Sequence, residues 1–305
     1  MNPSPETRQN YLFFPRLFAL SLGFFLLCSS PIYAQQQVET SCSEKFVASK
    51  CVDHLAQILP QLKQANVVYL GETHDNPEDH RNQLEIIQQL YNRNPKIAIA
   101  MEMFQRPYQG VVNEYLAGKL TEEELIEKSE YEKRWGFSWE NYAPILKFAK
   151  EKKLSVIALN TPSEITRKVA REGLKSLTPS EQKLIPPLSE IHIDNQEYRQ
   201  KLQAAFQQHQ AARHGNSADV ENFFQAQVLW DETMAEGIAK FIKANPNYQV
   251  IVLAGQGHII YGYGIPSRVD RRLKGEKLIQ RSVLLSPPKD APTDTDKAIA
   301  DFILK

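Results

Sequence analysis

Four short apolar runs constrain this chain most. Each ends in a glycine or a polar side chain, and long helical stretches separate them. Val67–Leu70 runs into Gly71, Lys96–Met101 into Glu102, Leu154–Leu159 into Asn160, and Gln249–Ala254 into Gly255. The runs are short, bounded by turn residues and rich in β-branched side chains, which predicts buried strands. Lys277–Leu285 reads as a fifth. Strands that alternate with helices need crossover connections, and crossovers make neighbouring strands parallel. The fold predicted is therefore α/β, with a mainly parallel central sheet and helices on both faces. The helical insertions at about 105–150 and 175–245 add a cap over one end of the sheet.

The helical stretches carry local signals of their own. Residues 77–93 place Leu84, Ile87, Leu90 and Tyr91 on one face. Further helices are predicted from Pro107, over 140–152 and over 194–212. Thr121 and Thr178 each stand three residues before a glutamate, the capping-box spacing. Ser217 reads as the cap of a helix that reaches about Asn245. Its apolar stripe of Val220, Phe224, Val228, Ala235, Ile238 and Ile242 also holds Asp231. A carboxylate on an apolar face must be paired or line a cavity.

Leu17–Leu27 is an apolar run of eleven, after Arg8 and Arg16. A spanning helix needs about 20 such residues, so the run fits the core of a secretory signal peptide ending at Ala34. Leu27 stands before Cys28 where a lipobox wants Gly, Ala or Ser, which argues against a lipid anchor there. The expected organisation is a signal peptide over 1–34, an N-terminal segment over 35–60, one α/β domain over 61–286 and a loose tail over 287–305. No membrane span is expected after the signal is removed. The location implied is exported, periplasmic or cell-envelope. An oxidising compartment then predicts a disulfide between Cys42 and Cys51. With 36 basic and 36 acidic side chains there is no positive excess to meet phosphates, which argues against nucleic acid as a partner.

In an open parallel sheet, ligands sit outside the carboxyl ends of the strands. The strand ends here deliver Glu72, His74, Glu102, Asn160 and His258 to one rim. Each has a bland reading, since Glu102 can cap a helix and Asn160 can make a turn. Their conjunction, with two G-x-x-H segments each straight after a strand, points to a site. Gly255-Gln256-Gly257 begins like a dinucleotide loop, but Ile260 holds the third glycine position. There is no GxSxG, HExxH or P-loop motif.

Four segments then carry a resemblance: Val68-Tyr69-Leu70-Gly71-Glu72-Thr73-His74-Asp75, Met101-Glu102-Met103-Phe104, Gln227 to Ala235, and Gly255-Gln256-Gly257-His258. Together they resemble the ChaN-like haem-binding uptake family (cofactor haem-binding, or DUF399, domain) of the Tiki/TraB/erythromycin-esterase superfamily. The likeness spans about residues 60–285. It implies an exported protein that binds haem b in haem or iron acquisition, as a homodimer in some members, with an outer-membrane receptor as a further implied partner. A tyrosine would bind iron, but no motif singles one out, so Tyr198, Tyr261 and Tyr263 stand as candidates. His209, Arg213 and His214 read either as solvated surface or as a partly cationic edge for an anionic ligand. A slot for the macrocycle would draw on Phe104, Tyr108, Trp135 and Trp139. The wider superfamily implies an alternative, a metal-dependent hydrolase. His74, Glu102 and His258 would then hold a divalent metal, and Glu72 would join them in catalysis.

Overall fold

The structure is a computed structural model. It describes residues 42, 49–211, 219–288 and 297–305. Seven strands form one sheet: β1 Lys50–Val52, β2 Val67–Glu72, β3 Ile97–Gln105, β4 Ser155–Asn160, β5 Gln249–Gly255, β6 Gln280–Leu284 and β7 Phe302–Leu304. Their order is β1-β7-β6-β2-β5-β3-β4, and every pairing is parallel. The helices are α1 Leu59–Leu62, α2 Pro77–Arg93, α3 Gln109–Leu116, α4 Glu122–Lys128, α5 Tyr131–Arg134, α6 Ala143–Glu151, α7 Ser163–Glu172, α8 Pro179–Gln182, α9 Gln196–Ala211, α10 Val220–Ala244 and α11 Ile265–Arg272.

The sheet is buried on both faces, as a parallel sheet requires. On one face Ile86, Leu90, Val112, Tyr115, Ile145 and Leu146, from α2, α3 and α6, pack against the alternate side chains Val68, Leu70, Ile99 and Met101. On the other, Ile165, Val169, Phe224, Ile238 and Val269, from α7, α10 and α11, pack against Val67, Tyr69, Ala100 and Val252. Central strands β2, β3 and β5 are buried along their whole length. They accordingly read as continuous apolar runs rather than alternating ones.

Local signals hold at several ends. Both capping boxes form, Thr121 with Glu124 and Thr178 with Glu181. The cap of α10 is Asp219, whose carboxylate accepts from the backbone N–H of Asn222; Ser217 lies outside the described residues. Three boundaries differ from expectation. β3 continues to Gln105, past a register shift against β4, so Glu102 lies within the strand and not beyond it. Residues 302–304, expected as part of a loose tail, form β7 between β1 and β6. The sheet thus reaches outside 61–286 on both sides. Cys42 and Cys51, the latter in β1, are joined by a disulfide. Among the described residues no helix is long and apolar enough to cross a membrane.

Candidate functional site

The register sets the site. Glu72 at the end of β2 pairs with Gly255 at the end of β5, and Asn160 at the end of β4 pairs with Gln105. His74 and His258 follow in the next turns. Both imidazoles, with Glu102 and Asn160, line one cleft of about 250 Å³ at the carboxyl edge. Gly255 leaves room for the His74 ring. A Cβ on it would come within 2.8 Å of His74 Cε1 and 2.9 Å of Nε2.

Glu72 is 2 % exposed and its carboxylate is fully engaged. Oε1 accepts from His74 Nδ1 at 2.8 Å and from the Tyr142 hydroxyl at 2.5 Å. Oε2 accepts from the Gln83 amide at 2.5 Å. This orients the His74 ring and places its proton on Nδ1. His80 Nε2 donates to the His74 carbonyl at 3.0 Å and steadies the backbone. Nε2 of His74 makes no hydrogen bond to a described residue and is left to face a ligand. Burial lowers the His74 pKa, but the Glu72 hydrogen bond and the charge of Glu102 outweigh it, so the net shift is upward. Trp135 and Phe137 flank the ring, with centroids at 4.8 and 4.7 Å.

The second histidine is held differently. His258 Nδ1 lies 2.7 Å from Asp231 Oδ1, and Nε2 lies 3.4 Å from Glu102 Oε1. Asp231, the carboxylate on the apolar stripe of α10, is fully buried, and its other oxygen accepts from the Tyr198 hydroxyl at 2.7 Å. Burial would push the His258 pKa down, but the two carboxylates hold it up at about 10. Glu102 mirrors this. Burial would raise it, yet His258, His74 and the backbone N–H of Gly255 bring it down to about 2. At neutral pH the pair is therefore an imidazolium between two carboxylates. Asn160 Nδ2 donates to the Glu102 carbonyl at 2.9 Å and ties β4 to β3.

The expected metal set of His74, Glu102 and His258 is not formed as ligands. Both ring nitrogens of His258 face carboxylates, so neither offers a lone pair. Among the described residues no group of three His, Cys, Asp or Glu side chains is arranged to hold a metal ion.

The tyrosine candidates do not line the cleft. Burial and Asp231 raise the Tyr198 phenol well above its ordinary value. Tyr263 donates to Glu197, and burial with that bond pushes it up to about 12. Tyr261 is 6 % exposed and stacks on Tyr263. His209 lies in α9, but its side chain is outside the described residues, as is His214. The expected aromatic slot is not a single surface. Phe104 packs against Tyr131 in the core, Trp139 donates to Glu122, and Tyr108 carries Arg134 over its ring. Of the four, Trp135 alone lines the cleft. Tyr142, Gln83 and Arg134 escaped sequence reasoning. They sit on helices or turns, where no motif marks which buried or half-buried polar residue serves which carboxylate.

A buried parallel sheet with two carboxylate-held imidazoles at its strand ends defines an α/β protein with a candidate site at the carboxyl edge of its sheet. A model of the Cofac_haem_bdg family, the haem-binding uptake family ChaN of the Tiki superfamily, matches residues 58–269, and the chain belongs to that family. Protein RETICULATA-RELATED 5, chloroplastic, of Arabidopsis thaliana is 27 % identical over 267 residues, covering 81 % of this chain and 35 % of that protein. The chain thus spans about a third of that relative's length. Among solved structures, ChaN of Campylobacter jejuni, which binds haem cofacially, has a TM-score of 0.61 at 16 % identity, over 80 % of this chain and 89 % of that one. The erythromycin esterase EreC has a TM-score of 0.45 at 16 % identity, over 80 % and 78 %.

Proposed function

We propose that the protein is an exported haem-binding protein of the ChaN type that works in haem or iron acquisition. The observation that carries this is the family match across residues 58–269. The eleven-residue apolar run at the N-terminus and the Cys42–Cys51 disulfide support export. A second copy of the chain and an outer-membrane receptor are the partners this reading implies.

The donor chemistry fits the iron better than the ring. His74 presents Nε2 while Glu72 holds Nδ1, the carboxylate–histidine arrangement that orients metal-bound imidazoles. A single histidine is a sufficient haem anchor. Trp135 and Phe137 offer apolar surface beside it. The cleft of about 250 Å³ is below the roughly 300–1,000 Å³ of pockets that enclose a drug-sized ligand. His74 would hold the iron from the cleft, and Trp135 and Phe137 would lie beside the ring. Bound haem would supply iron redox and ligand chemistry; the chain supplies orientation. Hemin titrated into purified protein is expected to give a saturable Soret shift, which His74→Ala abolishes. A wild type with no shift removes the reading, and an unchanged shift in the variant moves the iron ligand elsewhere.

A second reading has its own observation. His74 with Glu72 is built as a general base, and His258 is a fixed cation that donates but does not accept. That is a hydrolytic arrangement that needs no metal. Ester turnover that disappears in His74→Ala, with hemin absent, would establish it. The absence of turnover across an ester panel would remove it.

A further inference from the structure

Trp135 and Phe137 stand two residues apart, a spacing that does not bring side chains together on a helix. Both nonetheless touch His74, with ring centroids at 4.8 and 4.7 Å, and each other at 5.5 Å. Gly136 between them takes φ +84°, in the left-handed region that glycine favours. The chain leaves α5 at Arg134 and turns there, so both rings meet at one imidazole. Burial does not account for this arrangement. Phe137 is 36 % exposed, and among the described residues it is the one exposed large apolar side chain on this cleft. Apolar surface left in water and rimmed by polar groups marks a ligand groove.

The polar groups of the cleft differ in what they can still offer. Glu102 and His258 face each other at 3.4 Å, and Asp231 holds the other nitrogen of His258. Arg134 is bound by Glu130, Glu164 and the Gln105 amide oxygen. His74 is held through Nδ1, which leaves Nε2 open, and its side chain is 26 % exposed. An occupant therefore meets a hydrogen-bonding nitrogen and two apolar rings together. A hydroxyl suits that nitrogen in either form, since it donates to the lone pair of the neutral ring and accepts from the N–H of the imidazolium. An aromatic ring suits the apolar side, because tilted and edge-on ring pairs gain about 0.5–1.5 kcal/mol beyond burial. A phenol carries both on one rigid frame.

We propose that the cleft binds a single phenolic ring, its hydroxyl on His74 Nε2 and its ring against Phe137 and Trp135. The inference rests on His74 facing a ligand, as both readings above hold, and needs neither haem nor turnover. The volume of about 250 Å³ suits one such ring.

The test is calorimetry and ligand-observed NMR of the full chain, free of hemin, with phenol, toluene and cyclohexanol. Toluene keeps the shape of phenol without the hydroxyl, and cyclohexanol keeps the hydroxyl without the aromatic ring. Wild type is expected to bind phenol saturably. The three compounds leave water with different ease, so the informative quantities are preferences compared between proteins. The preference for phenol over toluene is expected to be about three- to tenfold larger in wild type than in His74→Ala. The preference for phenol over cyclohexanol is expected to be about two- to tenfold larger in wild type than in Phe137→Leu. Phe137 is at an exposed position, so this second arm stands even where His74→Ala loses its fold. Silence of wild type toward phenol would overturn the proposal. A hemin Soret shift that His74→Ala abolishes would in that case leave the haem reading standing, and ester turnover would leave the hydrolytic one. Equal preferences in wild type and either variant would also overturn it.

Discussion

At the scale of single residues, His258 is a group strongly altered by the fold. Its pKa is about 10 in the native state, against about 6.5 for a free imidazole. Between those values the folded chain holds a proton that the unfolded chain releases. Stability from this group is therefore complete below about pH 6.5 and is lost as pH rises toward 10. Glu102 behaves in the opposite sense. Its native value of about 2 lies below the free value of about 4.3, so its contribution is present above the latter and is lost as the solution is acidified toward 2. Other groups titrate in both windows, so the informative quantity is a difference between variants. The stability of wild type minus that of His258→Gln, from urea unfolding, is expected to shrink by a few kcal/mol from pH 6.5 to 10. A difference that stays constant over that range would mean the imidazole is neutral and the two carboxylates do not act as described.

At the scale of elements, the strand ends carry both what the sequence discloses and what it conceals. Gly71 and Gly255 close apolar runs, so the positions of Glu72, His74 and His258 follow from periodicity and parallel topology alone. Asp231 announces only that it needs a partner. That the partner is His258, with Tyr198 behind it, depends on how α10 packs over β4 and α11 beside the turn that follows β5, which no local pattern encodes. Tyr142 and Gln83 are concealed for the same reason, because helix periodicity says which face is buried but not which carboxylate it meets. Spacing places two imidazoles and a carboxylate together without saying that carboxylates face both ring nitrogens of His258 and Nδ1 of His74, which is why the set is not arranged as metal ligands among the described residues.

Gly255 and Gly264, two of the glycines between the end of β5 and α11, differ in what they protect, and this separates stability from function. On Gly264 a Cβ would stand 2.8 Å from the carbonyl carbon of His258 and 3.0 Å from Asp231 Oδ1. Backbone cannot step aside cheaply, so Gly264→Ala is expected to cost about 1–3 kcal/mol in urea unfolding. On Gly255 the Cβ meets the His74 side chain, which can swing outward. Gly255→Ala is expected to cost less stability yet to reduce hemin binding at least as severely as it disturbs the fold. The reverse ranking in stability would show that the His74 ring is fixed more rigidly than the turn.

At the scale of the whole molecule, the two ends of the described chain meet in the sheet. β7 lies between β1 and β6, and β1 has no other strand partner among the described residues. The run Phe302-Ile303-Leu304 is too short to read as a strand after a stretch rich in proline and aspartate. Its placement is a property of the assembled edge, where β6 leaves a row of backbone groups to be paired. The three side chains are 3 %, 0 % and 5 % exposed. At about 1.5–3 kcal/mol for each buried apolar side chain, their removal forfeits about 5–9 kcal/mol, against a total stability of about 5–15 kcal/mol for a typical domain. The loss also strands β1, to which Cys42 is tied through Cys51, and bares the edge of β6. A chain ended after residue 296 is therefore expected to lose its cooperative thermal transition in circular dichroism and to elute as aggregate in size-exclusion chromatography. The cleft lies on the far side of β2 from this edge, with β5, β3 and β4 beyond it, so the loss would come through global stability and not through local damage to His74 or His258. A truncated chain that melts cooperatively within a few degrees of the full one would show that the sheet from β6 to β4 is self-sufficient and that β7 is only a cover.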